Sequence, residues 1–255
     1  MRTSLVVIAL TSLLVPAVIL THANAQDAKR KKRGPAAEAL SLGAQAPLVD
    51  VKMENIDGRK LSIREAAGKK GTLVMFSCNH CPWVVRWENR IAELGNSYPD
   101  RGIGWIVINS NDIEAYPADD LDAMKVRAKE RGFRFPYVLD STSEMASAFG
   151  ASKTPECFLF DESMKLVFHG AIDDNAKDAE GVEKTYLKDA MEALIAGKKI
   201  KEPLSKALGC SIKLREGAAE AARKSAEASR ETQKGETQKG ETQKKTPPKA
   251  KPAEG

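Results

Sequence analysis

Hydrophobic and polar residues follow two different periods along the central part of the chain. Continuous apolar runs at 72–77 and 103–109 are typical of strands that are buried on both faces. Apolar residues spaced three or four positions apart after Cys81 indicate an amphipathic helix that ends near Gly95. The same criteria predict further strands at 48–53, 61–63, 136–139, 157–160 and 165–169, and further helices at 119–131, 141–149 and 181–196.

This order of elements predicts an α/β fold. Strands that alternate with helices usually pair in parallel, and the last two strands, joined by a turn at 161–164, add an antiparallel hairpin. The helix at 141–149 opens with Ser141 and Glu144, which have the spacing of a capping box. We therefore expect one folded domain over residues 35–216, with a central mixed β-sheet flanked by helices.

The first 25 residues have the composition of a secretory signal peptide. A short basic start precedes an uncharged apolar run at 5–20, and Ala23 and Ala25 supply the small residues of a cleavage site. The run is interrupted by Pro16 and is shorter than the ~20 apolar residues that span a bilayer. The sequence therefore predicts a secreted, periplasmic protein in a compartment where disulfides form readily.

The net charge of +5 is concentrated at the two ends of the chain. A basic arm at 26–34 reads QDAKRKKRG, and a basic tail at 217–255 repeats ETQK with a period of five residues. The tail has too little apolar surface to offset its ordering entropy, so we expect it to be disordered. The domain between these ends is mildly acidic, which predicts no nucleic-acid partner. The basic ends are expected to make at most a weak contact with a membrane or cell wall.

Two cysteines, Cys78 and Cys81, lie two residues apart in the stretch FSCNHCPW, between a predicted strand and a predicted helix. Haem attachment needs a histidine after the second cysteine, where Pro82 stands, and structural zinc needs more ligands than this stretch offers. A structural disulfide over so short a loop would stabilise the fold little. The pattern therefore favours a redox-active pair that forms a Cys78–Cys81 disulfide and needs no cofactor.

The position of the pair predicts a role for each residue in it. The partial positive charge at a helix N-terminus should lower the pKa of Cys78, the attacking thiol, and Cys81 then resolves the mixed disulfide. Pro82 suits the first helical turn, where its missing N–H has no partner to lose. His80 directly precedes Cys81, and we expect it to stabilise the Cys78 thiolate and so raise the reduction potential.

These features resemble the thioredoxin superfamily over roughly residues 42–197. The resemblance rests on the strand–CNHCP–helix junction, on Thr154-Pro155 before a later strand, and on the final hairpin and helix. It implies a thioredoxin fold in which Pro155 is a cis-proline facing the pair. It also implies that Thr154 and Pro155 bind the substrate polypeptide along a free backbone edge. A carboxylate beneath the second cysteine is a further implication, with Glu54 and Asp50 as candidates.

Several stretches are similar to one branch of that superfamily, the redoxins, which include the peroxiredoxin-like AhpC/TSA proteins. They read VMFSCNHCPWV, VINSNDIEAYP, FPYVLD and GCSIK. This resemblance implies an alternative function, a thiol peroxidase with Cys81 at the peroxidatic position. The threonine and proline of the peroxiredoxin pattern are replaced by Cys78 and Val74, and the position of their arginine falls near Pro155. We therefore favour thiol–disulfide exchange over peroxide reduction.

The sequence offers two further candidate redox thiols, Cys157 and Cys210, and one candidate copper site. Cys157 lies on a predicted buried strand and is expected to be an inert thiol. Cys157 and Cys210 remain the candidates for additional redox thiols, paired with each other or separate. A copper chaperone would bind its metal through two thiolates and His169, but the spacing of the cysteines argues against it, and we expect no metal. The expected partners are protein thiols or disulfides and one further redox partner.

Overall fold

A computed structural model of the chain describes residues 39–222 and 224. The predicted signal peptide at 1–25, the basic arm at 26–34 and almost all of the tail at 217–255 lie outside the described residues. The chain is helical at 218–222, directly after the predicted end of the domain. Among the described residues, no helix is long and apolar enough to cross a bilayer.

The described residues form nine strands and four α-helices. The strands are β1 (Met53–Asn55), β2 (Lys60–Leu61), β3 (Gly71–Ser77), β4 (Ile103–Asn109), β5 (Tyr137–Leu139), β6 (Lys153–Thr154), β7 (Glu156–Asp161), β8 (Leu166–Gly170) and β9 (Cys210–Ser211). The helices are α1 (Pro82–Ser97), α2 (Leu121–Arg131), α3 (Glu144–Phe149) and α4 (Tyr186–Ile195). Short 3-10 turns lie at Pro99–Arg101 and Pro117–Asp119.

Seven strands form a central mixed sheet in the order β2-β1-β5-β4-β3-β7-β8. β3 pairs in parallel with β4, and β4 pairs in parallel with β5. β7 runs antiparallel to both β3 and β8. Residues of α1, α2 and α4 pack on one face of the sheet and residues of α3 on the other, so every residue of β3 is buried. The predicted α/β architecture, a thioredoxin fold, is confirmed.

The start of α3 differs from the sequence expectation. The helix begins at Glu144, and the predicted capping box is wrong. The carboxylate of Asp140 accepts hydrogen bonds from the backbone N–H groups of Met145 (3.1 Å) and Ala146 (3.3 Å). The N-cap residue, Ser143, has a left-handed backbone (φ 57°) and makes no side-chain cap. The carboxylate of Asp140, which follows β5, therefore caps the helix in place of the predicted Ser141.

Two other boundaries move for similar local reasons. The first strand, predicted at 48–53, forms only from Met53, because Leu48 adopts a left-handed backbone (φ 51°) in the preceding turns. The last helix begins at Tyr186 instead of 181. In the preceding loop the side chain of Asn175 accepts hydrogen bonds from the backbone N–H groups of Lys177 and Asp178. Such side-chain bonds offer the backbone an alternative to a helix.

Candidate active site

The pair Cys78 and Cys81 lies where β3 ends and α1 begins. Cys81 is the N-cap residue of α1, and Pro82 occupies the first helical position, which tolerates proline because its N–H would have no partner. Both cysteines are free thiols and are buried, with 2% and 0% of their surface exposed. The structure thus places the pair at the carboxyl end of a central strand, as the sequence predicts.

Thr154, on the short strand β6, contacts both sulfurs. The Cys81 thiol donates a hydrogen bond to the carbonyl oxygen of Thr154 (3.1 Å). The Cys78 sulfur lies 3.6 Å from the hydroxyl oxygen of the same residue. The peptide bond between Thr154 and Pro155 is cis, so the structure agrees with the expected conformation of Pro155.

The backbone edge of Thr154 is occupied by the chain itself. β6 and β9 pair in antiparallel orientation, with Cys210 directly opposite Thr154. Gly209 approaches this residue so closely that a Cβ at position 209 would lie 2.2 Å from the Thr154 carbonyl oxygen. The expected free edge for a substrate polypeptide is therefore wrong for this conformation, because residues 209–211 fill it.

The two thiols of the pair shift each other's pKa in opposite directions. A hydrogen bond with the Cys78 thiol lowers the pKa of Cys81 and, with help from Cys210 and Thr154, outweighs the effect of burial. The same hydrogen bond raises the pKa of Cys78, and burial and the negative charge of Asp119 raise it further. The expected lowering of the Cys78 pKa is therefore wrong here. Cys81, not Cys78, is the N-cap residue of α1, while Cys78 faces a carboxylate.

That carboxylate, Asp119, is fully buried beside the pair. One oxygen accepts a hydrogen bond from the backbone N–H of Asn79 (2.8 Å), and the other accepts one from the side-chain amide of Asn111 (2.7 Å). The side-chain amide of Asn109 donates to the carbonyl oxygen of Asp119 (2.7 Å). Asp119 is thus fixed in position by neighbours from two segments of the chain, the junction of β3 and α1 and the end of β4.

The candidates that the resemblance suggested for a buried carboxylate are both wrong. Glu54 is an exposed residue of β1, and Asp50 is exposed and forms an ion pair with Arg64. The sequence reasoning missed Asp119, which closes the 3-10 turn at Pro117–Asp119. The only signal for it is the acidic PADD stretch ahead of α2, and acidic residues are common before any helix.

His80 is held in place by Asp119. Its Nδ1 lies 2.6 Å from Oδ2 of Asp119, and its ring stacks on Tyr116 with centroids 5.7 Å apart. The side chain is 35% exposed. A ring nitrogen of His80 and a carboxylate oxygen of Asp119 both lie within 4.8 Å of the Cys78 sulfur. His80 is therefore close enough to act on Cys78 electrostatically.

Within the described residues, Cys78, His80 and Asp119 form one group whose donor atoms could hold a metal ion. His169, the expected copper ligand, does not belong to this group. Its Nε2 lies 2.8 Å from Oε1 of the buried Glu156 on the neighbouring strand. The copper site considered from the sequence is therefore not assembled. A metal at the observed group would have to replace the contact between His80 and Asp119.

The remaining cysteines have different surroundings. Cys157 lies on β7 and is fully buried, and burial raises its pKa. Cys210 is partly exposed and packs against the same apolar cluster that contains Cys78 and Cys81. Three of the four cysteines thus converge at the N-terminal end of α1.

The space around the pair is small. A cavity of about 10 Å³ beside Cys78, lined in part by Val84 and Tyr137, has room for about one water molecule. A larger cleft of about 340 Å³, lined in part by Arg90 and Glu192, contains none of the cysteines. Of the three cysteines at this site, Cys210 has the most exposed surface.

A thioredoxin fold with a buried Cys-x-x-Cys pair at a helix N-terminus, next to a cis-proline, defines a class of thiol redox proteins. The AhpC/TSA family model matches residues 42–169, half of the chain, and the chain belongs to this family. Cys210 and the strand β9 lie beyond the matched residues.

Two solved structures are similar over most of the domain. An uncharacterized conserved protein from Geobacillus kaustophilus is 36% identical with a TM-score of 0.65, and the match covers 71% of this chain and 95% of that one. A hypothetical protein from Sinorhizobium meliloti 1021 is 31% identical with a TM-score of 0.66, over 71% and 98% of the two chains.

Among curated proteins, the chain is similar to thiol-disulfide oxidoreductase ResA. The protein from Halalkalibacterium halodurans is 27% identical over 125 residues, which are 49% of this chain and 65% of that relative. The protein from Bacillus thuringiensis subsp. konkukian is 25% identical over 131 residues, 51% and 69% of the two chains. The chain thus spans about two thirds of the length of these relatives.

Proposed function

We propose that this protein is a secreted, periplasmic thiol–disulfide oxidoreductase that exchanges electrons with protein thiols through Cys78 and Cys81. The observation that carries the proposal is the contact between the two thiols at the start of α1, beside the cis bond of Thr154 and Pro155. The similarity to ResA, named a thiol-disulfide oxidoreductase, supports the same chemistry. The signal-peptide pattern at 1–25 supports the compartment.

We assign the steps from the surroundings of the two sulfurs: Cys78 faces the buried carboxylate of Asp119, whereas Cys81 is the N-cap residue of α1. The Cys81 thiol gives up its proton and attacks one sulfur of a substrate disulfide, and the other sulfur leaves as a thiolate that takes up a proton. Cys78 then gives up its proton and attacks Cys81, so that the Cys78–Cys81 disulfide forms and the second substrate sulfur leaves as a thiol. The roles are thus reversed from the sequence expectation, in which Cys78 attacks.

His80 and Asp119 act on the slower of these steps. Cys78 must lose a proton while it is buried beside a negative charge, which disfavours the thiolate. The His80–Asp119 pair lies within 4.8 Å of the Cys78 sulfur and offers a base that can accept this proton. We therefore assign His80 to tuning of the pair, with Asp119 as the residue that positions it.

The proposal is tested by reduction of insulin with dithiothreitol as the electron source. Cys78→Ser and Cys81→Ser should each abolish the acceleration seen with the wild-type protein, and Cys157→Ala, which removes a buried thiol of β7, should leave it intact. Turnover that is unchanged in Cys78→Ser would sink the dithiol mechanism. In the Cys78→Ser variant the first mixed disulfide with the substrate should form at Cys81. Retention by Cys78 in Cys81→Ser alone would restore the original order of attack.

A second function, peroxide reduction by Cys81, is favoured by the lowered pKa of this thiol and by membership of the AhpC/TSA family. Among the described residues, the side-chain partners of Cys81 are Cys78, Cys210 and Thr154, and no arginine is among them. Peroxide consumption that survives Cys78→Ser but not Cys81→Ser would support the peroxidase. A copper chaperone has the least support, and a copper titration that alters the spectrum of the reduced protein would revive it.

A further inference from the structure

The strand β9 places a cysteine at the edge where a substrate strand would otherwise pair. Cys210 stands opposite Thr154, the residue whose carbonyl oxygen accepts the hydrogen bond from Cys81. Thr154 therefore contacts all three cysteines at this site. Its backbone contacts Cys81 and Cys210, and its hydroxyl contacts Cys78. In this arrangement Cys210 takes the place of a substrate cysteine.

The segment that carries Cys210 is anchored on its C-terminal side. The N–H of Ile212 donates to the carbonyl oxygen of Ser152 (3.1 Å), and the Ile212 side chain is buried. The N–H of Lys213 donates to the side chain of Asn111 (2.8 Å). These contacts hold β9 in register with β6, so Cys210 is presented at one defined position and not at a loose chain end.

Cys210 packs against the apolar cluster that contains Cys78 and Cys81, and it stands opposite Thr154, which contacts both of their sulfurs. Cys78 and Cys210 both lower the pKa of Cys81. Cys78 and Cys81 are almost completely buried, whereas Cys210 is partly exposed. A disulfide held between the two buried residues is therefore difficult for a partner thiol to reach, and Cys210 is the sulfur of the cluster that solvent reaches most easily.

We propose that Cys210 is a third redox-active thiol that transfers the disulfide of the buried pair to the surface. The proposal rests on the proposed function, which supplies the Cys78–Cys81 disulfide. The Cys210 sulfur gives up its proton and attacks Cys81. The bond between Cys81 and Cys78 breaks, a bond between Cys81 and Cys210 forms, and Cys78 takes up a proton. This step is an internal exchange that is neutral in electrons and protons, so it needs no further oxidant or reductant.

The consequence concerns the partner of the oxidised protein. A thiol of a protein or small molecule reduces the Cys81–Cys210 disulfide by attack at the partly exposed Cys210 sulfur, without displacing β9 first. Cys81 leaves as a thiolate that takes up a proton, and a second thiol of the partner releases Cys210 from the mixed disulfide, so that all three cysteines are reduced. The pairing of β9 with Thr154 prevents a substrate polypeptide from pairing there directly, but it places Cys210 where it can carry the disulfide to the surface.

The decisive variant is Cys78→Ser in the full chain, oxidised with glutathione disulfide and mapped by peptide mass spectrometry. We expect the Cys81–Cys210 disulfide as the main product, with loss of the glutathione adduct that forms first. Cys78→Ser combined with Cys157→Ala is the matched control and should give the same disulfide. Cys78→Ser combined with Cys210→Ser should retain a stable glutathione adduct on Cys81. A lasting adduct on Cys81 in Cys78→Ser, with Cys210 still a free thiol, would overturn the proposal.

This result does not depend on the insulin assay. If Cys78→Ser reduces insulin as well as the wild-type protein, the dithiol mechanism fails, but the mapped disulfide still reports on Cys210. Conversely, if the pair reduces insulin but the Cys81–Cys210 disulfide does not form, only the proposed transfer step through Cys210 fails. Thermal unfolding of Cys210→Ser and of Cys210→Ala separates a redox role from a structural one, because a redox role predicts that both variants keep the wild-type unfolding temperature but that glutathione reduces their Cys78–Cys81 disulfide more slowly than that of the wild-type protein.

Discussion

Replacement of Asp119 by asparagine is the sharpest test of how the pair is tuned. The buried carboxylate raises the pKa of Cys78, so removal of its charge should lower that pKa and make Cys78 more reactive at a fixed pH. A carboxylate oxygen lies within 4.8 Å of the Cys78 sulfur. At an effective dielectric constant of about 20, two unit charges at this distance interact by roughly 3 kcal/mol.

His80 reduces the interaction energy between Asp119 and the Cys78 thiolate. Its ring nitrogen lies 2.6 Å from the same carboxylate and, when protonated, offsets part of the negative charge. We therefore expect a net effect of about 1.5 kcal/mol, which corresponds to roughly a tenfold larger thiolate fraction at Cys78. The change also costs stability, about 1 to 2 kcal/mol, because an asparagine amide would face the donor group of Asn111.

The assay is the rate of alkylation of Cys78 by iodoacetamide across a pH series, followed by mass spectrometry in a Cys81→Ser background. Asp119→Asn should shift the rise in rate to lower pH. Asp122→Asn is the matched control, because it removes the charge of an aspartate on α2 that is 87% exposed, and it should leave the profile unchanged. An unchanged or slower alkylation of Cys78 in a folded Asp119→Asn variant would refute the electrostatic reasoning.

Three further changes probe the tuning and the framework. His80→Asn should slow closure of the Cys78–Cys81 disulfide by about 100-fold, measured by acid trapping of the mixed disulfide over time, because Cys78 loses the base that accepts its proton; an unchanged rate would remove His80 from the tuning. Glu156→Ala should lower the free energy of unfolding by about 2 to 3 kcal/mol, measured by urea titration. The buried carboxylate of Glu156 accepts a hydrogen bond from the backbone N–H of Ser152 (2.7 Å) and contacts His169, and both contacts would be lost. Burial raises the pKa of Asp140 above its ordinary 3.8. A carboxyl group whose pKa is higher in the folded than in the unfolded state stabilises the fold fully below its unfolded-state pKa. This contribution is lost as the pH rises through its folded-state pKa. Asp140→Asn should remove this part of the decline in stability above about pH 4, and an equally steep decline in the variant would contradict it.

Much of the framework follows from local patterns in the sequence. The buried strands β3 and β4 are predicted almost to the residue, because long apolar runs between turn signals can be satisfied only by strands in the middle of a covered sheet. The junction of β3 and α1 is predicted equally well, because Cys81 and Pro82 stand where the apolar period changes. The place of Pro155 beside the pair is what the resemblance to the thioredoxin superfamily implies.

The start of α3 shows where local patterns fail. Ser141 and Glu144 have the spacing of a capping box, but the helix is capped by Asp140, whose carboxylate reaches the N–H groups of Met145 and Ala146. A spacing rule cannot choose between two neighbouring acceptors. The choice is made by the position of the strand end that delivers the carboxylate.

The chemistry of the pair was set by contacts between distant segments. Asp119 lies 41 residues after Cys78 in the sequence, and only the packing of the turn after β4 against the start of α1 brings them together. Cys210 reaches Cys81 through β9, a strand of two residues that is too short to show any period. The sequence by itself determined the α/β architecture and the place of the pair, since these depend on local periodicity and turn chemistry, and the resemblance to the thioredoxin superfamily added the proline beside the pair. The tertiary structure alone decided which carboxylate faces Cys78 and which thiol lies opposite Thr154, because charge and hydrogen bonding act through space and not along the chain.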